Sequence, residues 1–244
     1  MIPHVIIPAI MALGAFTFGF AGFGFALAVV PFLALLLPVK SAVALQFPAM
    51  TLLSIYNAWR YGKAVVWKPM WLFYVAAFLT VPMGLYALID LPEEIMKKGL
   101  AFFIVLFVAA NRFKWGERLK GIISFSRLWV LFMGVLSGWL QGAYAVGGPP
   151  AVLYVMSITN DPEEAKGHLG TYFAANNIAV MTPLYWAGGL ITEQTLLATL
   201  EYLPVIITFL ALGMWFFKRA SNESYKNVVD CMLVITSLLL WVRS

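Results

Sequence analysis

The chain has 244 residues, 62% of them hydrophobic and 11% charged, with a formal net charge of +5. Soluble domains carry about 25% charged residues, so a water-soluble fold of this length is excluded for want of polar surface. The positive balance does not indicate nucleic acid, because the basic residues lie in short clusters between apolar runs, as loop charges of a membrane protein do.

In chain order the apolar runs cover Val5 to Phe18, Gly24 to Leu37, Ser41 to Trp59, Pro69 to Ile89 and Ile95 to Asn111. They continue with Leu128 to Gln141, Gly147 to Ser157, Glu164 to Ala187, Gln194 to Phe217 and Tyr225 to Val242. Crossing the hydrocarbon core takes about 20 mostly apolar residues in a helix. Only helices and closed barrels satisfy their backbone groups in lipid, and these runs lack the alternation of barrel strands. The expected fold is therefore all-α, an integral membrane helical bundle formed by the whole chain as one domain. The N-terminus, Met1-Ile2-Pro3-His4, lacks a basic stretch, so the first run is expected to belong to the mature bundle. Cys231, the single cysteine, falls inside the last run and reads as a small core residue.

Two pairs of runs are too short for ordinary spans, and glycine interrupts each pair: Gly19-Phe-Ala-Gly-Phe-Gly24 in the first half, Gly142-Ala-Tyr-Ala-Val-Gly-Gly-Pro-Pro150 in the second. A shift of 123 residues lays Gly19 on Gly142, Gly24 on Gly147, Ala28 on Ala151 and Ala42 on Ala165. Further along, Gly62 matches Gly188 or Gly189, and Gly84 matches Gly213. The chain reads as an internal duplication, with repeats of about 5–112 and 128–244 joined by a basic cytoplasmic linker, 113–127.

Each short pair is either a re-entrant hairpin or one broken crossing. With hairpins, Arg60, Lys63, Lys68, Arg112, Lys114, Arg118, Lys120, Arg127, Lys166, Lys218, Arg219 and Lys226 fall on one side, leaving Lys40, Lys97, Lys98 and Arg243 on the other. Single crossings divide the charges almost evenly. The positive-inside rule favours hairpins and makes the first side cytoplasmic, with both termini outside. Each repeat then holds one hairpin and three spans, an odd number of crossings, so the repeats are expected to be inverted about an axis in the membrane plane.

Glycine-rich bends at membrane depth are tolerated where they are buried in protein or line a watery cavity. The half-helices after the bends begin near Gly24 and Gly147, each presenting unpaired N–H groups and a positive dipole end, which favours anions. The expected donors are the amides of Gly24, Phe25, Gly147 and Gly148, and Pro149 and Pro150 suit a first helical turn. Gln141 and Tyr144 flank the second bend. Gln46, Thr51, Ser54 and Asn57 line the span after the first hairpin, as His168, Thr171, Asn176 and Asn177 line the span after the second. Polar groups in spans tend to face pathways, although interhelical hydrogen bonding explains any single one of them better, whereas the matching places of the two glycine motifs count against close packing alone. His168 is a candidate for proton coupling or a satisfied helix-end histidine, and Glu201 and Asp230 are weaker proton-relay candidates. No nucleotide-binding lysine motif, metalloprotease motif, Cys/His cluster or nucleophile elbow occurs, so no enzyme activity, cofactor or metal site is expected.

The motifs Gly19 to Gly24 and Gly142 to Pro150, heading two similar halves, resemble the sulfite exporter TauE/SafE family of membrane permeases, and Tyr61-Gly62-Lys63 and Gly188-Gly189 extend the likeness over nearly the whole chain. The first motif departs from the family's run of glycines by placing Phe25 after Gly24; the second keeps Gly147-Gly148. The resemblance implies a bacterial inner-membrane secondary transporter that exports sulfite, organosulfonates or related small sulfur-containing anions, driven by an ion gradient. On this reading an anion binds between the two bends and alternating access exposes it to each side. The partners are the anion and the bilayer; a homodimer is compatible with the sequence but not required by it. An anion channel and a non-transporting membrane scaffold or complex subunit are the rival readings.

Overall fold

The computed structural model describes residues 2–113 and 126–217, together with Leu238 and Val242. Most of the linker, the last apolar run, Lys218, Arg219, Lys226, Asp230 and Cys231 lie outside the described residues. Those described form helices and connecting turns, with no strand among them. In chain order the helices are α1 (Ile2–Ala21), α2 (Phe25–Leu33), α3 (Val39–Tyr61), α4 (Trp67–Asp90), α5 (Glu93–Arg112), α6 (Arg127–Tyr144), α7 (Gly148–Ile158), α8 (Pro162–Asn176), α9 (Thr182–Ala187) and α10 (Glu193–Phe217). A 3₁₀ turn, Gly62–Ala64, follows α3, and a π-helix, Asn177–Met181, joins α8 to α9.

Three stretches among the described residues are long and apolar enough to cross a membrane: Val39–Ala64, Trp67–Asp90 and Glu193–Phe216. Large apolar side chains are exposed along them, including Leu79 and Met83 on α4 and Leu197, Leu200 and Ile207 on α10, as suits lipid contact.

The glycine motifs break the helices where expected. Gly22 at φ 80° and Gly24 at φ 90° turn the chain between α1 and α2; Ala145 at φ 56° ends α6 before α7 begins. The arms of each pair are unequal. At 1.5 Å per residue, the 20-residue α1 and 18-residue α6 are about 30 and 27 Å long, whereas the 9-residue α2 and 11-residue α7 reach only about 14 and 17 Å. The second arms therefore cover about half of the hydrocarbon core. The first arms exceed the apolar runs because each helix continues into its glycine motif, through Gly19-Phe20-Ala21 in α1 and Gly142-Ala143-Tyr144 in α6.

The described residues fall into two compact units, each drawn from both halves of the sequence. One comprises Met1–Met50, Leu91–Val108 and Leu190–Ser244; the other Thr51–Asp90 and Ala109–Gly189. In the first unit α1 lies along α10. A Cβ on Gly19 would overlap the Leu210 carbonyl, and one on Gly213 would overlap the Phe16 carbonyl. Also in this unit, the Val39 N–H that opens α3 donates to Glu93 Oε1 (2.8 Å) at the start of α5. In the second unit α4 lies along α6, the most extensive helix pair among the described residues. There a Cβ on Gly142 would overlap the Val81 carbonyl, and one on Gly84 the Trp139 carbonyl. The two contacts match position by position, Gly19 with Gly142 and Phe16 with Trp139 at a shift of 123, Gly213 with Gly84 and Leu210 with Val81 at a shift of 129. Glycine carbonyl-to-backbone contacts of this kind let helices approach without side chains between them, where lipid supplies no hydrophobic driving force.

Candidate functional site

In the second unit the bend between α6 and α7 is held from behind by buried polar side chains. The Gly147 N–H donates to Gln141 Oε1 (2.8 Å), and Gln141 Nε2 donates to Asn177 Oδ1 (3.0 Å). Asn177 Nδ2 donates to Ser54 Oγ (3.3 Å), and Ser54 Oγ to the Thr51 carbonyl (2.9 Å). A second chain begins at the other end of the same glycine. Ser137 Oγ donates to the Gly147 carbonyl (2.6 Å) and lies 3.0 Å from the Tyr172 hydroxyl. Because the single hydroxyl hydrogen of Ser137 goes to a carbonyl, Tyr172 must donate to Ser137, and Tyr172 in turn accepts from Asn176 Nδ2 (3.3 Å).

Ser137, Gln141, Asn176 and Asn177 are fully buried, and Tyr172 is walled by Phe73 and Tyr74, with ring centroids 5.1 and 5.6 Å away. Every member of the network is neutral. In a low-dielectric interior such bonds strengthen one another, and an orphaned member is costly. Asn176 Oδ1 is such an orphan: it has no hydrogen-bond partner, and the direction of the chain above it fixes the atom as an acceptor.

Local sequence explains the placement. Ser137 and Gln141 are four residues apart on α6, as Tyr172 and Asn176 are on α8, so each pair shares a helix face. The π-helix begins at Asn177, with Thr182 Oγ1 donating to the Asn177 carbonyl (2.7 Å) and Pro183, which lacks an N–H, just beyond. Such widened turns recur at functional sites. Gly147 cannot be another residue, since a Cβ there would stand 2.6 Å from the Ser137 carbonyl and 2.9 Å from Gln141 Oε1.

From Gln141 to Pro150 Gly148 alone escapes full burial. It is the first residue of α7, and Pro149 and Pro150 follow it with no N–H to give. Gly148 thus brings the first N–H of that helix, at its positive end, on a residue that is only half-buried, and a bound anion could use it.

The predicted site residues divide between the units. Thr51, Gln141, Gly147, Gly148, Asn176 and Asn177 belong to the second unit, where the two hydrogen-bonded chains join all of them but Gly148, Thr51 through its carbonyl. Tyr144, also there, is buried with its ring edge-on to Trp139. His168 is fully buried on α8. Its Nε2 lies 3.2 Å from Glu164 Oε1, while Thr159 donates to Glu164 Oε2 (2.6 Å), and its Nδ1 has no partner. Gly24, Phe25 and Gln46 belong to the first unit. Gly24 caps α2, Phe25 is buried against the position of Gly14, and Gln46 is fully buried with neither amide atom hydrogen-bonded. The first bend has no counterpart of the polar clamp, because Gly14 and Phe18 stand where the second half has Ser137 and Gln141. Ser137 and Tyr172 were not singled out in the sequence; their four-residue spacing from Gln141 and Asn176 was the available signal.

The model of the sulfite exporter TauE/SafE family matches residues 6–240. Comparison with curated proteins and with solved structures gives no match. The likeness carried by the two glycine motifs thus extends over almost the full length of a helical, membrane-spanning chain, and the protein belongs to the sulfite exporter TauE/SafE family.

Proposed function

We propose that the chain is a secondary transporter that exports a small sulfur-containing anion, sulfite or an organosulfonate, across the bacterial inner membrane. Family membership supports the transported class. The observation that carries the site is the half-buried Gly148, alone accessible at the start of α7 while a buried neutral network fixes the peptide behind it. An anion held there takes the Gly148 N–H and the helix dipole without meeting a fixed countercharge, and so can leave again. Gly24, Phe25 and Gln46 are the corresponding elements of the first half. Two inverted repeats, joined by the cytoplasmic 113–127 linker and with both chain termini outside, supply the alternating access, and His168, paired with Glu164, carries the coupling proton.

Thermal stabilisation of the purified protein by a panel of sulfite, sulfate, small sulfonates and carboxylates tests this reading. Gly148 has no positive φ, so Gly148→Ala brings no left-handed backbone strain while adding a methyl beside the amide that the anion takes. The expected result is selective stabilisation by a sulfur oxyanion, at least tenfold weaker in the variant, with an unchanged melting temperature when no anion is added. Absence of stabilisation by every anion at millimolar concentration contradicts it and favours a scaffold.

A further inference from the structure

The second unit holds a cavity of about 660 Å³, lined among others by Trp71 and Leu72 of α4, Arg127 and Leu131 of α6, and Tyr154 and Ser157 of α7. It lies where α4 and α6 begin and α7 ends, the opposite end of α6 and α7 from the glycine bend. The hydroxyls in its wall are already committed, since Tyr154 donates to the Pro69 carbonyl (2.5 Å) and Ser157 to the Tyr154 carbonyl (2.6 Å). Arg127 is different. It is exposed and has no hydrogen bond or ion pair among the described residues. It is also the first residue of α6, where Ser126 gives no side-chain cap and the first turn has no acid. A cation at a helix N-terminus is opposed by the helix dipole, so two positive features meet there without compensation. The remaining wall is apolar, and Trp67 and Trp71, 58% and 60% exposed, stand beside it as tryptophan does at a membrane–water boundary.

We infer that this cavity binds an anionic phospholipid, its phosphate on the Arg127 guanidinium and an acyl chain along Leu72, Leu131 and Trp71. A guanidinium takes a phosphate through two parallel N–H donors, with the geometry lysine cannot offer. Inorganic phosphate would gain nothing from the apolar wall. A zwitterionic lipid would bring an ammonium for which the lining has no carboxylate. The site is separate from the glycine bend, so its test does not depend on the transport reading.

The test titrates detergent-purified full-length protein with phosphatidylglycerol, phosphatidylcholine or inorganic phosphate and counts bound molecules by native mass spectrometry. One basic residue near a membrane surface contributes about fivefold to the affinity for an anionic lipid. The expected result is a phosphatidylglycerol adduct about fivefold tighter than the phosphatidylcholine one, with no adduct from inorganic phosphate. Arg127→Gln should erase the preference for phosphatidylglycerol without lowering the melting temperature, because the side chain holds nothing else among the described residues. Leu131→Trp, which keeps the charge and fills the cavity, should weaken both lipids. Equal affinity for the two lipids, a preference that survives Arg127→Gln, or an inorganic phosphate adduct at the same concentration overturns the inference.

Discussion

Ala145 adopts φ 56° at the end of α6, whereas the matching position of the first half is Gly22 at φ 80°. A left-handed alanine costs about 1 kcal/mol, and glycine loses a similar amount through the entropy of the unfolded chain. Ala145→Gly is therefore expected to leave the melting temperature nearly unchanged. Two residues on, Gly147→Ala should cost about 2 kcal/mol or more, because the new methyl meets a fixed carbonyl and the Gln141 side chain. Equal losses for both would show that the bend is not built as described. The polar residues of this site were legible in part: Gln141, Asn176 and Asn177 stand out because amides are rare in apolar runs. What they bond was not legible. The Gly147 N–H, expected as a ligand donor, is instead held by Gln141, which leaves Gly148 of that expected pair. Spacing along one helix could have linked Ser137 to Gln141, and the 123-residue shift relates Asn177 to Ser54 as repeat counterparts, but a counterpart need not be a hydrogen-bond partner.

At the scale of elements, glycine carries two kinds of information. Runs of glycine with proline mark the breaks, and the short second arms follow directly from them. Isolated glycines mark helix contacts, and here the sequence names the positions without naming the partners. That α1 meets α10 and α4 meets α6 follows from the reciprocal fit of Gly19 with Gly213 and of Gly84 with Gly142. Gly84→Ala and Gly142→Ala should each destabilise by about 2 kcal/mol or more. Both press on the same crossing, so once one methyl has parted the helices the second finds room. The double variant should fall short of the sum by about 1 kcal/mol in a thermal double-mutant cycle. Additive losses would mean that the two glycines do not share a contact. The π-helix at Asn177–Met181 had only Pro183 as a warning in the sequence, since a missing donor can be absorbed by a kink as readily as by a widened turn.

For the whole molecule, composition alone is decisive about class, because a chain with 11% charged residues has no alternative to lipid as its solvent. The match over residues 6–240 places it in the sulfite exporter TauE/SafE family. Which anion it carries was not legible for a physical reason: the site proposed at the second bend consists of neutral side chains and a backbone amide, and these leave no side-chain signature of a particular ligand. The two compact units, each assembled from both sequence halves, were likewise invisible to a reading that divided the chain at the linker. Sulfite efflux from proteoliposomes, followed with and without an imposed proton gradient, tests the central claim most directly. The account predicts saturable efflux that responds to the gradient and is at least tenfold slower for Gly148→Ala. Flux that never saturates and ignores the gradient, or no flux from correctly folded protein, would contradict it.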